Sequence, residues 1–227
     1  MAKTNSGSRV SIAHLILVPS VITLAVTILR LVGELKGWSD FWFSPKAGGN
    51  GAPIGISWLV PIFGIYFAMK LAREGEGPER VGRAVGFAFL GLLLFVASMA
   101  IPVMIFKEPG NLGLIVGASV GCIVTIFVVR GAWPALFKTL LAYGFAARIP
   151  VVILMLIAIR GNWGTHYDVP PNAQFPVMHW FTKWVVIGLL PQMFIWIAFT
   201  ITIGLLFGTI SAALFHRRRE GSEAVHA

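Results

Sequence analysis

The sequence predicts an all-α membrane protein, a bundle of about six transmembrane helices with both termini in the cytoplasm. Hydrophobic residues make up 57% of the 227 residues and charged residues only 12%, whereas an average soluble domain carries about 25% charged residues. The mean hydropathy is +0.82, and six apolar runs approach the roughly 20 residues that cross a bilayer as a helix. This composition excludes a soluble globular enzyme, a disordered protein and a nucleic-acid-binding domain.

The six predicted spans belong to a single transmembrane domain, residues 1–227. The first run is too long for the apolar part of a signal peptide and is followed by no small-residue cleavage pattern, so we expect an uncleaved helix. The fifth and sixth runs exceed the thickness of the bilayer core and contain Pro150 and Pro191. We therefore expect a tilted or kinked helix in each. The predicted spans are 11–32, 54–72, 84–106, 112–129, 139–159 and 190–214.

Lysine and arginine predict the orientation, because they are enriched on the cytoplasmic side of membrane proteins. Of the 18 lysines and arginines, 11 lie at the predicted end that holds both termini, including Arg217, Arg218 and Arg219, and six lie at the other end. Both termini are therefore expected in the cytoplasm, and the protein in the plasma membrane, which is the inner membrane of a bacterium. The net charge of +9 indicates contact with anionic lipid headgroups on the cytoplasmic face and no nucleic-acid partner.

Acidic residues are predicted to lie outside the spans. All nine, Glu34 among them, fall in predicted loops or in the C-terminal tail. Intramembrane carboxylates are the usual proton carriers and cation ligands of transporters. Their predicted absence disfavours a proton-coupled or sodium-coupled mechanism and an intramembrane hydrolase that uses aspartate or a metal.

Arg148 is the one charged residue deep inside a predicted span, since Arg30 and Lys70 lie within two residues of the ends of theirs. A cation there costs at least a few kcal/mol unless it meets water, a carbonyl group or an anion. Three interpretations stay open: the side chain reaches the cytoplasmic headgroups because the helix is shifted, it contacts an anion or a lipid headgroup, or it is a structural buried arginine. The candidate partners on neighbouring helices are Ser119, Thr125 and Gln192.

Two runs of small residues predict close helix packing. Residues four apart share a helix face, and a face without side chains lets another helix approach. The pattern favours packing within one chain but does not exclude packing between two copies. The residues are Gly113, Gly117 and Gly121 in the fourth span, and Gly204, Gly208 and Ala212 in the sixth.

Cofactor and metal patterns are weak or absent in the sequence. The one cysteine, Cys122, excludes a disulfide within the chain and a cysteine metal site. Weak metal candidates share one predicted loop, where imidazole and carboxylate groups would suit a divalent ion, but their spacing matches no compact motif. They are His166, Asp168 and His179. We therefore expect no bound metal and no cofactor.

Three classes of function stay open. The first is a small transporter or channel-like protein for a small apolar or anionic substrate or a lipid, with Arg148 lining its path. The second is a non-catalytic subunit of a larger membrane complex, which binds a membrane-protein partner or a second copy of itself. The third, less favoured, is an intramembrane enzyme that modifies lipid at the loop that holds His166, Asp168 and His179.

Overall fold

The computed structural model describes residues 11–108 and 110–225 and, within them, all side chains except those of residues 50 and 216–225. Helices hold 76% of the residues, and these ranges contain no strand. The long helices are α1 (Ile12–Leu35), α2 (Leu59–Arg73), α3 (Val81–Phe106), α4 (Leu112–Val129), α5 (Pro134–Gly161) and α7 (Trp196–Val225). The short α6 (Trp180–Lys183) continues into two π-helical segments, Trp184–Leu189 and Pro191–Ile195, which lead into α7.

Six helical stretches are long and apolar enough to cross a membrane, as predicted. The sixth, Trp180–Phe215, begins ahead of its predicted start because the π-helical turns carry the helix through Pro191. The fifth continues through Pro150 without a break. The prediction that every acidic residue lies in a loop or the tail is wrong, because α1 extends through Glu34. The Glu34 carboxylate pairs with Arg30 one turn earlier, which satisfies this charge at the end of an apolar helix.

The bundle has two ends of different character. At one, here called the loop end, lie the long connections 36–58 and 162–179 and the short turn between α3 and α4. At the other, the tail end, lie the turns from α2 to α3 and from α4 to α5, and the end of α7. Five of the basic residues used to predict the orientation cannot be placed, because they lie outside the described part of the structure. These are Lys3 and Arg9, and the side chains of Arg217, Arg218 and Arg219.

Helix α7 lies at the centre of the bundle and packs against α2, α3 and α5, whereas α1 packs mainly against α5 and α4 against α3. The apolar core in the tail half is closed by buried side chains from several helices, among them Phe67, Leu136, Leu140, Ile201 and Leu205. Large apolar side chains also cover the outward faces of α1, α3 and α4. Such a continuous exposed apolar surface suits lipid rather than water.

The small residues that were predicted to mediate helix packing face other helices of the same chain. A Cβ atom added to Gly64 of α2 would lie 2.7 Å from the Cα atom of Gly204 in α7, so the two backbones meet directly. Gly208 lies against Leu136 and Ala68, and Ala212 is buried. The partner residues in α2 follow the same four-residue spacing, Gly64 and Ala68, a pattern that the sequence contained and that was not singled out.

The glycines of α4 form a second close contact, with α3. A Cβ atom added to Gly113 would lie 2.5 Å from the ring of Phe106, and one added to Gly121 would lie 2.7 Å from the hydroxyl of Ser98. Gly117 faces Pro102, which also belongs to α3. These contacts hold α3 and α4 together as a pair at the side of the bundle.

Candidate functional site

A cavity of about 330 Å³ lies in the loop half of the bundle. Its walls come from α1, α5 and the π-helical part of the sixth span, and exposed loop residues, Gly48 and Pro171, line its upper end. The cavity therefore reaches the protein surface at the loop end and extends to Arg148 and Gln192 in the middle of the bundle. Two arginines, Arg30 and Arg148, line it, and no Asp or Glu of the described residues does so.

Arg148 lies at mid-depth of α5, about 21 Å along the helix from Pro134 at 1.5 Å per residue. Only 4% of its surface is exposed. Its Nη1 donates to the Oε1 atom of Gln192 at 3.3 Å, and the guanidinium lies 4.6 Å from the ring centre of Trp196. Its Nε has no hydrogen-bond partner, and no carboxylate of the described residues lies within 4.0 Å of the guanidinium. The structure thus places Arg148 in the cavity as an uncompensated buried cation.

Gln192 is placed beside Arg148 by the π-helical segment Pro191–Ile195. A wider π-helical turn at a proline is one way in which a helix accommodates the missing backbone N–H, and such turns occur often at functional sites. The amide Nε2 of Gln192 donates to the sulfur of Met155 at 3.7 Å, and a thioether is a weak acceptor. The lower end of the cavity is therefore rich in donors and poor in acceptors.

Arg30, the second arginine on the cavity wall, is fully engaged by the protein. Its Nε donates to Glu34 at 2.8 Å, and its two terminal nitrogens donate to the carbonyl groups of Ile54 at 2.6 Å, Ser44 at 3.3 Å and Gly49 at 3.4 Å. Gly49 has a φ of +72°, and a Cβ atom there would lie 2.1 Å from Arg30 Nη2. Arg30 therefore holds the connection 36–58 against α1, and Glu34 balances its charge.

Glu34 also binds the other long connection. Its carboxylate accepts the backbone N–H of His166 at 2.9 Å and contacts the imidazole Nδ1 of His166 at 2.5 Å. Burial lowers the pKa of His166 below its ordinary value, and the hydrogen bond to Glu34, which raises the pKa, does not offset this effect. The ring is therefore neutral near pH 7 and donates its Nδ1–H to the carboxylate. Glu34 thus joins both long connections over the cavity.

Tyr167 completes the upper wall of the cavity. Its hydroxyl donates to the backbone carbonyl of Thr27 in α1 at 3.3 Å. Burial raises the pKa of Tyr167, so the phenol stays protonated at all physiological pH values. The upper wall therefore carries neutral polar groups and the paired Arg30, in contrast to the free cation below.

Of the residues predicted to accompany Arg148, only Gln192 does so. Ser119 donates to the carbonyl of Ile115 at 2.7 Å, one turn back in its own helix. Thr125 donates to the carbonyl of Gly121 at 3.0 Å and pairs with Ser98 of α3 at 3.3 Å. Neither side chain lines the cavity. Both hydroxyls form their hydrogen bonds within the α3–α4 pair, because the carbonyl group four residues earlier in the same helix is available as an acceptor.

The three weak metal candidates have separate roles. His166 binds Glu34, whereas Asp168 accepts the N–H of Gly164 at 2.9 Å and both the N–H and the hydroxyl of Thr165 at 2.7 Å. His179 is exposed and accepts the N–H of Phe181 at the start of α6. Across residues 11–108 and 110–225, no group of three His, Cys, Asp or Glu side chains is placed to hold a metal ion. The structure therefore does not bring these three side chains together at one site.

Three residues at the site had not been selected from the sequence: Arg30, Glu34 and Trp196. The first two follow the i, i+4 spacing of a helical ion pair, which would have identified them had the first span been extended by one turn. No sequence pattern distinguished Trp196 from the other tryptophans of the chain. No protein family, curated protein or solved structure matches the chain.

Proposed function

We propose that this chain is an integral protein of the plasma membrane that carries a small anionic substrate, as a transporter or channel-like protein. The single observation that supports this proposal is Arg148, a cation that is 4% exposed, lines a cavity and has no acidic partner in the described structure. An unpaired charge at this depth costs several kcal/mol in an apolar environment. An anion bound beside it would offset this cost.

The energetic contrast with Arg30 supports the proposal. Both side chains are buried and line the same cavity, but Arg30 has four protein acceptors, one of them charged, and Arg148 has one neutral acceptor. A structural arginine is expected to satisfy its nitrogens within the protein. Arg148 keeps binding capacity that the fold does not use, which is the property expected of a substrate contact.

The orientation that we propose places the tail end in the cytoplasm and the cavity on the outer side. The described part of the tail end carries six exposed basic side chains, Lys70, Arg73, Arg80, Arg83, Arg130 and Lys138. Each would lie close to anionic headgroups of the inner leaflet, an attraction worth about 1 kcal/mol per basic residue. The cavity would then receive its anion from outside the cell.

Below Arg148 the path is closed. Tyr143, one turn closer to the tail end, is 1% exposed, packs against the rings of Phe63 and Phe67, and pairs with the hydroxyl of Thr23 at 2.7 Å. In the orientation that we propose, this arrangement would correspond to an outward-facing state, with access from the loop end. Transport would need a second state in which this aromatic layer opens.

Anion flux into proteoliposomes tests the proposal. We expect chain-dependent uptake of a small organic anion such as acetate or octanoate, and at least a tenfold loss in Arg148→Gln, since a charge-assisted hydrogen bond contributes roughly 1.5–3 kcal/mol. Arg160→Gln is the matched control, because Arg160 is an exposed arginine of the same helix. Unchanged flux in Arg148→Gln, or equal loss in Arg160→Gln, would contradict the proposal.

The second candidate, a non-catalytic subunit of a membrane complex, is favoured by a different surface. The connection after α1 presents an aromatic group at the loop end, in which Phe41 is 66% and Trp42 is 47% exposed. Aromatic side chains are enriched both at the membrane interface and at protein–protein contacts. Purification of the native complex distinguishes the two functions: a fixed partner that is lost in Phe41→Ser/Trp42→Ser would support the subunit.

A further inference from the structure

We infer that the ligand of the cavity is an amphiphilic monoanion of medium length, an anionic group on an apolar chain of about eight carbons. This inference rests on the proposed function and names its substrate class. It follows from three properties of the cavity: its free charge, the apolar residues that line it beside that charge, and its volume.

One free charge predicts one negative charge on the ligand. Glu34 neutralises Arg30, and the ring of His166 is uncharged near pH 7 because burial lowers its pKa. This leaves Arg148 as the one uncompensated charge among the described side chains that line the cavity. The donors beside the anion are the guanidinium of Arg148, which has one neutral protein acceptor, and the Nε2 of Gln192, which meets only sulfur.

Apolar walls lie directly above this anchor. Val151 and Met155 follow Arg148 along α5 in the direction of the loop end, and Ile187 precedes Gln192 in the sixth span; all three line the cavity. The backbone of Met155 lies about 10 Å from that of Arg148 along the helix axis at 1.5 Å per residue, and its sulfur reaches back to Gln192. A chain attached to the anion would bury apolar surface here, which an inorganic anion would leave unused.

The size of the cavity limits the length of the chain. Polar residues also line the cavity, among them Thr27, Arg30 and Tyr167. The cavity volume of about 330 Å³ corresponds to about 11 water molecules at roughly 30 Å³ each. A ligand of about ten non-hydrogen atoms, the size of octanoate, fills this space, and a longer chain would exceed it.

Binding of radiolabelled octanoate to the protein in nanodiscs, corrected with empty nanodiscs, tests the inference. Unlabelled acetate, butyrate, hexanoate, octanoate and dodecanoate serve as competitors. We expect affinity to rise about threefold for each buried methylene from acetate to octanoate and to rise no further at dodecanoate. The dianion suberate, which has the same length as octanoate, should bind at least tenfold more weakly, as should uncharged octanamide.

Variants separate the anchor from the walls. Arg148→Gln should weaken octanoate at least tenfold and abolish its advantage over octanamide, whereas Arg148→Lys should retain part of both. Ile187→Asn should flatten the dependence on chain length while acetate binding is kept, and Arg160→Gln should change neither. Size-exclusion profiles establish that each variant is folded.

Two results would overturn the inference, and they differ in what they mean for the proposed function. Anions that bind through Arg148 with equal affinity at every chain length would contradict the amphiphile but leave the anion carrier intact. Octanoate binding that is the same in Arg148→Gln and in the unaltered protein would contradict both.

Discussion

The imidazole Nδ1 of His166 lies 2.5 Å from the carboxylate of Glu34, a residue 132 positions earlier in the chain. This contact joins the last turn of α1 to the connection 162–179, and the same carboxylate accepts Arg30 Nε from within α1. The side chain of Glu34 is fully buried. Two long connections that contain no regular sheet or long helix are thus held over the cavity by one acidic residue.

Replacement of Glu34 should destabilise the protein severely. Glu34→Gln removes the charge that balances Arg30, and loss of one partner of a buried ion pair costs about 3–5 kcal/mol. The midpoint of thermal unfolding in detergent measures this loss. Asp40→Asn, at an exposed acidic residue of the same end of the protein, is the control and should change stability by less than about 0.5 kcal/mol. Similar midpoints for the two variants would refute this role of Glu34.

Acidic pH should destabilise the loop end through His166. Its pKa in the folded protein lies below the ordinary value because the ring is buried. Between that lowered pKa and about 6.5 the unfolded chain binds more protons, so stability is complete above about pH 6.5 and falls as the pH drops through the folded pKa. The charged groups around the ring are Glu34, Arg30 and Asp168.

Unfolding midpoints measured from pH 7.5 to pH 5 test this pH dependence. His166→Asn should flatten the slope below pH 6.5, whatever it does to the absolute midpoint. His179→Asn is the matched control, because His179 is exposed and Asn also suits the start of a helix. The prediction fails if the slope of the His166 variant equals that of the unaltered protein.

The two buried arginines should respond oppositely to the same substitution. Arg30→Gln leaves Glu34 and three carbonyl groups without their donor, and we expect a loss of at least about 3 kcal/mol. Arg148→Gln removes an uncompensated buried charge, so the free energy of unfolding should stay equal or rise. Denaturant titration of both variants measures the difference. A stability loss in Arg148→Gln as large as that in Arg30→Gln would show that Arg148 is structural.

Gly64 should not tolerate a side chain. A methyl group there would lie 2.7 Å from the backbone of Gly204, and overpacking of this kind costs about 1–3 kcal/mol. Gly86→Ala is the control, because nothing lies within 4 Å of the added Cβ atom in α3, and alanine favours a helix by up to about 1 kcal/mol. Thermal unfolding should therefore shift in opposite directions for the two variants, and a shift in the same direction would contradict direct backbone packing.

The helices could be predicted because span length and hydrophobicity follow from bilayer thickness alone. The fourth predicted span, 112–129, has the bounds of α4. The ends of α1 and of the sixth span could not be placed, since polar interactions decide them. Glu34 stays helical because Arg30 and His166 satisfy it, and the helix passes Pro191 because π-helical turns accommodate the proline. Neither effect is contained in a hydropathy pattern.

The site could be predicted in part, from the cost of a charge in an apolar helix. That argument selected Arg148, and the nearest polar residue across the bundle, Gln192, was among its proposed partners. Ser119 and Thr125 were selected for polarity alone, and their hydroxyls bind their own helix. The connections that close the cavity could not be inferred, because Arg30 binds backbone carbonyl groups, which every residue possesses.

The contact between Arg30 and Gly49 constrains how this chain can diverge. A left-handed backbone with no room for a Cβ atom lies directly against a guanidinium that is itself tied to Glu34. In homologous proteins, the residues at positions 30, 34 and 49 should therefore be conserved together or replaced together. Such covariation would identify the cavity in homologues whose hydrophobic helices have diverged too far in sequence to be aligned.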